Sequence, residues 1–225
     1  MVEVKERPIL FNGEMVRAIL EGRKTMTRRV IKPQPKSGGA IYDPSIGWRF
    51  KGGPNMPCPY GQPGDRLWVR ETWAPLRLQF DYESGYCDGW EECSPKTVKD
   101  YRDSDSGFNL LDPPRFDIAY FDCYDCGTDD PKERGFKWRS SIHMPRWASR
   151  IDLLVKDVRV ERVQDINNLD ALAEGIPDTR TMENNWDLRD CFHSLWDSIY
   201  AKKGNGWEAN PWVWVVEFKT ITKKG

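Results

Sequence analysis

At 225 residues, 39% hydrophobic and 31% charged, with a formal net charge of -1, the chain has the composition of a globular protein of one or two domains, long enough to bury a substantial core. Its longest apolar runs, IDLLV and WVWVV, are far too short to cross a bilayer, which argues against a helical membrane protein and for no membrane partner. The start, MVEVKERPIL, lacks the apolar stretch of a signal peptide, so the expected compartment is cytoplasmic, where the six cysteines would be thiols or metal ligands.

Charge is spread unevenly. Residues 1–36 hold nine Lys/Arg against four Glu, a balance of +5, whereas residues 78–130 hold four Lys/Arg against fourteen Asp/Glu, a balance of -10. The basic end suits a phosphate or another anion; the acidic middle does not suit the length of a nucleic-acid backbone. Eleven tryptophans and eight tyrosines could fill a core or stack on bases.

In chain order, Asn12 reads as an N-cap and Glu14 to Glu21 as a short helix with Met15, Val16, Ile19 and Leu20 on one face and Gly22 as its stop. Residues 32–64, rich in Pro and Gly, read as a long loop ending in a Pro-Gly-Asp turn. RLWVRETW follows as a strand, with Arg70 and Glu71 on opposite faces and each in need of a partner. Residues 75–135 are irregular and acidic and read as an insertion with a short hairpin of its own. The segment 151–160 alternates as a strand with a break near Lys156-Asp157. A short helix is expected over Asp170 to Gly175. A longer one is expected over Trp186 to Lys202, with Phe192, Leu195, Trp196 and Ile199 on one apolar face and His193 in a structural role. PWVWVVEFKTI closes the chain as a strand with Trp212, Trp214, Val216 and Phe218 on one face. The order predicts an α+β fold, a small mixed β-barrel with flanking helices, and not a doubly wound sheet.

Three clusters could carry chemistry. In GRKTMTRR, four cations (Arg23, Lys24, Arg28, Arg29) surround Thr25 and Thr27 just after a helix stop. Neighbouring arginines would lower the pKa of Lys24, which could then act as a base toward a threonine hydroxyl, while the arginines hold a phosphate or an oxyanion. The plainer reading is a solvated basic turn.

Four pieces of sequence, ILEGRKTMTRR, PGDRLWV, DALAEGI and WVWVVEFKTI, occur in the order found in ASCH domains, and together the chain resembles that PUA-like family, in particular its longer phage- and prophage-encoded members, with HMPRWASRI and LWDSIYAK as further matching pieces. The resemblance spans roughly 8–74 and 136–222 of what would be one domain over 1–225, and leaves the insertion 75–135 unexplained. It implies a PUA-like barrel with a cleft for a nucleoside or a nucleic-acid end. By similarity to the bacterial branch that hydrolyses acetylcytidine, it implies a catalytic lysine, threonine and glutamate at Lys24, Thr27 and Glu174. Thr27 would attack the acyl carbonyl, Lys24 would take its proton, and Glu174 would orient or reprotonate the exocyclic amine; no cofactor is needed. The alternatives are a non-catalytic RNA- or DNA-binding module and a ribonuclease in the same cleft, with a nucleoside, nucleotide or single-stranded nucleic acid as partner.

The second cluster is cysteine. Cys123 and Cys126 form a CxxC, and with Cys87 and Cys93 they would make a four-thiolate structural zinc site stapling the insertion, against a plainer reading as free thiols. The third is HMPRWASR, where Arg146, Trp147 and Arg150 offer either a stacking platform with phosphate contacts or a tryptophan packed beneath rim arginines. The acidic insertion is also a candidate surface for a host protein.

Overall fold

The computed structural model describes residues 4–35, 40–43, 47–50, 56–81, 86–92, 94–96, 116–120, 137–178 and 187–221. The chain divides into two compact units, one of Met1–Ile9, Glu14–Trp68 and Ile151–Gly225, the other of Leu10–Gly13 and Val69–Arg150. The elements of the first are β1 (Glu6–Leu10), α1 (Gly13–Leu20), β2 (Met26–Val30), β3 (Ala40–Asp43), β4 (Gly47–Phe50) and β5 (Arg66–Arg70), then β9 (Asp152–Arg162), α2 (Asn168–Ala173), α3 (Leu188–Tyr200) and β10 (Trp212–Ile221). Between β5 and β9 come β6 (Trp73–Asp81), β7 (Tyr86–Glu92) and β8 (Phe116–Tyr120) of the second unit. The chain is α+β, mostly strand with few helices.

The main sheet has the order β1-β5-β9-β10-β2, with β10 antiparallel to both β9 and β2. WVWVV reads as an unbroken apolar run because β10 is covered on both faces: Val213, Trp214, Val215 and Val216 are all buried. Val213 and Val215 face a core built with Met26 and the helices, where Leu188, Phe192 and Trp196 of α3 meet Trp207 and Ile166. α3 starts at Asp187, whose carboxylate accepts from the Arg189 amide, and passes into a 3-10 turn, Ala201–Lys203, ended by left-handed Gly204. His193 stacks on Trp207 at 4.8 Å and bonds to Asp197 at 3.1 Å, in keeping with a structural place.

Three expectations are revised. The segment 151–160 is not broken: β9 is continuous, and Lys156 is an extra residue, since Asp157 pairs with Glu217 and Val155 with Phe218. A bulge shifts the alternation by one without ending the strand. The Pro/Gly-rich loop holds an antiparallel hairpin, β3 with β4, pinned by the cross-strand pair Tyr42 and Trp48 and by the Trp48 indole donating to the Val158 carbonyl at 3.0 Å. RLWVRETW is two strands, β5 ending at Arg70 and β6 beginning at Trp73. The Pro-Gly-Asp turn works through Asp65, whose carboxylate takes the Lys5 and Gln62 amides at 3.0 and 3.1 Å. Gly61 leaves it room, for a Cβ there would fall 2.7 Å from the Asp65 Oδ2.

In the second unit, β6 is the centre of a three-stranded antiparallel sheet, β7-β6-β8. The expected hairpin of the insertion is thus part of a larger sheet. Glu71 is buried and gripped by Arg150 through two hydrogen bonds of 3.0 and 2.9 Å, and Arg70 donates to the Ile142 carbonyl at 3.3 Å. Among the described residues no helix is long and apolar enough to cross a membrane.

Candidate functional site

The basic stretch after α1 leads into β2, an edge strand of the sheet. Gly22, with φ +75°, ends α1 and turns the chain, and the Lys24 amide then donates to the Ala18 carbonyl at 2.9 Å. That turn carries the Lys24 side chain inward, where it is wholly buried. It meets the C-terminal end of α2, which starts at Asn167 capping the Asp170 amide and stops at Glu174, followed by left-handed Gly175. The Lys24 Nζ donates to the Glu174 carbonyl at 2.6 Å and to its Oε2 at 2.8 Å. Gly175 permits this approach: a Cβ there would lie 3.1 Å from the Cβ atoms of both Ala18 and Lys24.

Glu174 bridges two cations. Its other oxygen lies 3.5 Å from Arg28 Nη1, and Arg28 Nη2 donates to Asp170 at 2.6 Å and Glu161 at 3.0 Å. Arg159 extends the chain of charges, pairing with Glu161, Glu217 and, at 3.6 Å, Asp170. Four segments distant in sequence therefore converge on one network. Burial lowers the Lys24 pKa from the ordinary lysine value; the Glu174 carboxylate opposes that effect, while Arg29 and Arg28 add to it.

Strand alternation separates the predicted residues. Arg28 lies on the face of β2 shared with Met26, which packs in the helix-covered core; Thr27 and Arg29 belong to the opposite face, beside Val216 and Trp214 of β10. Lys24, two residues before the strand, feels both Arg28 and Arg29. Thr27 is buried and Arg29 half-buried, whereas Arg23 and Thr25 are exposed. Arg23 pairs with Glu21 and donates to the Gly175 carbonyl at 2.9 Å. The Arg28 guanidinium is fully buried and engaged by three carboxylates, which corrects its expected role as a phosphate contact.

Arg146, Trp147 and Arg150 fall in the second unit. Trp147 sits edge-on to Trp73 at 6.0 Å, in the 3-10 turn Arg146–Ala148, and Arg150 is held by Glu71. The four-thiolate zinc site lies outside the described residues: Cys93, Cys123 and Cys126 are not among them, and of Cys87 only the backbone in β7 is described. The other two cysteines are free thiols, and burial pushes Cys58 up to about 12, far from a reactive thiolate.

Sequence reasoning missed Asp170, Glu161, Arg159 and Glu217. Asp170 had a signal, since it stands four residues before Glu174 and so one turn away on the same helix face. Glu161, Arg159 and Glu217 had none, because only the pairing of β9 with β10 brings them together. Comparison of the chain with protein-family models, curated proteins and solved structures returns no match.

Proposed function

We propose that the chain is a metal-independent amidohydrolase acting on an acylated nucleoside or nucleotide such as acetylcytidine. The single observation that carries this reading is the contact between the buried Lys24 ammonium and Glu174, made across 150 residues of sequence at 2.8 Å. A lysine kept dry, beside two arginines, is easier to deprotonate than one in water, which is what a general base near neutral pH requires. In the proposed step the neutral Lys24, which precedes the strand and senses Arg29 of the Thr27 face as well as Arg28, takes the Thr27 hydroxyl proton as the Thr27 oxygen bonds to the acyl carbon. The carbon–nitrogen bond then breaks, and the leaving amine takes the proton that Lys24 accepted, with Glu174 relaying that proton or orienting the amine. Water hydrolyses the resulting ester and regenerates Thr27. Arg29, on the Thr27 face of β2, would stabilise charge on the acyl oxygen. A PUA-like barrel is part of the same reading, drawn from the resemblance and from β1 and β2 being the two edges of the sheet.

A second reading has its own support. Arg28 is engaged by Asp170, Glu161 and Glu174, as in a structural cluster, while Arg23 is exposed and Arg29, on the opposite face of β2 from Arg28, is half-buried and within reach of a nucleic acid. On that reading the cleft binds RNA or DNA without chemistry, or cuts RNA.

The test is release of free cytidine from N4-acylated cytidines, followed chromatographically for wild type, Lys24→Ala and Thr27→Val. Turnover by wild type, reduced about 100-fold or more in both variants, is the expected result. Absence of turnover by wild type with every acyl group, or equal rates in Lys24→Ala, overturns the proposal. Binding of an oligonucleotide without product then selects the second reading.

A further inference from the structure

Two interior arginines of the first unit come with their own carboxylates: Arg28 has Asp170, Glu161 and Glu174, and Arg159 has Glu161 and Glu217. Arg7, on β1, is different. It is half-buried on the strand face that holds buried Ile9, and its Nε is closed off from solvent without a hydrogen-bond partner. Among the described residues no carboxylate pairs with it. An unsatisfied buried donor costs about 1–3 kcal/mol, and more when it is charged. A cation kept in such a place points to an anion that arrives from outside.

The surroundings of Arg7 connect it to the Thr27 cleft. Asp65 accepts the Lys5 amide at 3.0 Å, and the Arg66 amide donates to the Lys5 carbonyl at 2.9 Å, which ties the segment 58–65 to the start of β1. The Gly61 amide donates to the Cys58 carbonyl at 3.1 Å and folds that segment into a turn. Cys58 lies in the field of Arg7, and Tyr60 lies in the field of Arg29 and close to the Tyr200 phenol. Arg29 belongs to the Thr27 face of β2. One short turn thus joins β1 and β2, the two ends of the strand order, beside the proposed nucleophile. The groups of that turn are neutral. Burial raises the Cys58 thiol to about 12 and raises the Tyr60 phenol, so neither supplies Arg7 with a negative charge at pH 7. A protonated phenol is instead a donor to an anion.

The amidohydrolase reading allows a nucleoside or a nucleotide, and the anion that separates the two is a phosphate. We propose that Arg7 holds the phosphate of the substrate, with Tyr60 as a further donor, so that the cleft takes a nucleoside monophosphate in preference to the free nucleoside. This rests on the reading that the Thr27 face of β2 receives the substrate. Arg29 then serves the acyl oxygen and Arg7 the phosphate. A guanidinium suits that task, because two of its N–H groups can meet two phosphate oxygens in parallel.

Two measurements on the full chain separate this inference from the reading it rests on. The first is titration calorimetry of wild type, Arg7→Gln and Arg7→Lys with cytidine, its 5′- and 3′-monophosphates, inorganic phosphate and a 5′-phosphorylated hexanucleotide. One monophosphate should bind about tenfold or more tightly than cytidine and than inorganic phosphate. Arg7→Gln should lose that advantage while binding cytidine within about twofold of wild type, which shows that the fold is kept. Arg7→Lys should fall between, since it keeps the charge and loses the paired donors. The second is deacylation of N4-acetylcytidine and of its matching monophosphate. The monophosphate should have a kcat/KM about tenfold or more higher in wild type, and the two should be equal in Arg7→Gln. Equal affinity for cytidine and both monophosphates, a preference that survives in Arg7→Gln, binding of the hexanucleotide alone, or no saturation by any of these ligands below about 10 mM overturns the inference, even where acetylcytidine is turned over. A monophosphate preference abolished by Arg7→Gln, with neither compound deacylated, upholds the phosphate site and overturns only the amidohydrolase reading.

Discussion

Lys24 is the residue on which the first site turns, and its protonation can be followed by stability as well as by rate. Its pKa in the folded chain is lowered, chiefly by burial, from the 10.5 of an unfolded lysine. Between the lowered value and 10.5 the unfolded chain binds a proton that the folded chain does not, so this group makes stability rise with pH across that window. Cys58 and Tyr60 act in the opposite direction, because burial raises both pKa values and their deprotonation favours unfolding above their ordinary ranges. The Lys24 contribution is therefore read as a difference from Lys24→Met. Urea denaturation at pH 7, 8.5 and 10 should show wild type gaining stability relative to the variant as pH rises. A difference that stays flat would mean that the ammonium is no harder to keep charged inside than in water. At this scale the sequence was informative for Lys24, which its basic neighbours marked out, reached Glu174 only through the resemblance, and was misleading for Arg28. A guanidinium in a basic run reads as a surface cation, and nothing local reveals three carboxylates brought to it from elsewhere in the chain.

Elements set the geometry that brings Lys24 to Glu174, and two glycines have different parts in it. Gly22 and Gly175 both adopt positive φ, +75° and +93°, but a Cβ on Gly22 would meet nothing within 4 Å, whereas one on Gly175 would crowd Ala18 and Lys24 at 3.1 Å. Gly22→Ala should cost about 1 kcal/mol from backbone strain alone. Gly175→Ala should cost about 2–3 kcal/mol, because α2 must also move away from Lys24. Urea midpoints of the two variants check the ranking, and equal costs would show that the helix end yields freely. Helix positions were legible because periodicity and caps are local: α1, α2 and α3 fall within one or two residues of their expected bounds at most ends. Strand connectivity was less so. The bulge at Lys156 imitates a strand break, since both reverse the alternation. The β3–β4 hairpin was hidden by flanking Pro and Gly that read as loop.

Across the whole molecule, the ion network fastens residues 24–28, 159–161, 170–174 and 217 to one another, so its loss should be felt globally. Glu174→Gln leaves a buried ammonium and a buried guanidinium short of charge and should cost about 3–5 kcal/mol. Asp170→Asn should cost less, because Asp170 is 16% exposed and Arg28 keeps Glu161. Guanidinium denaturation of both variants tests this order; a cost below about 1 kcal/mol for Glu174→Gln would mean that solvent reaches the cluster. The amino-acid sequence by itself determined the α+β class, the closing strand and the apolar face of α3, since each follows from composition or short-range periodicity; it placed Leu20 on the buried face of α1, where the residue is exposed, and it pointed to Glu174 only through the resemblance. Only the tertiary structure decided that Arg28 is interior, that Thr27 lies on the other face of its strand, and that Arg7 comes to lie near Cys58. These depend on register and long-range pairing, which place residues more than a hundred positions apart within hydrogen-bonding distance and leave no trace in local pattern.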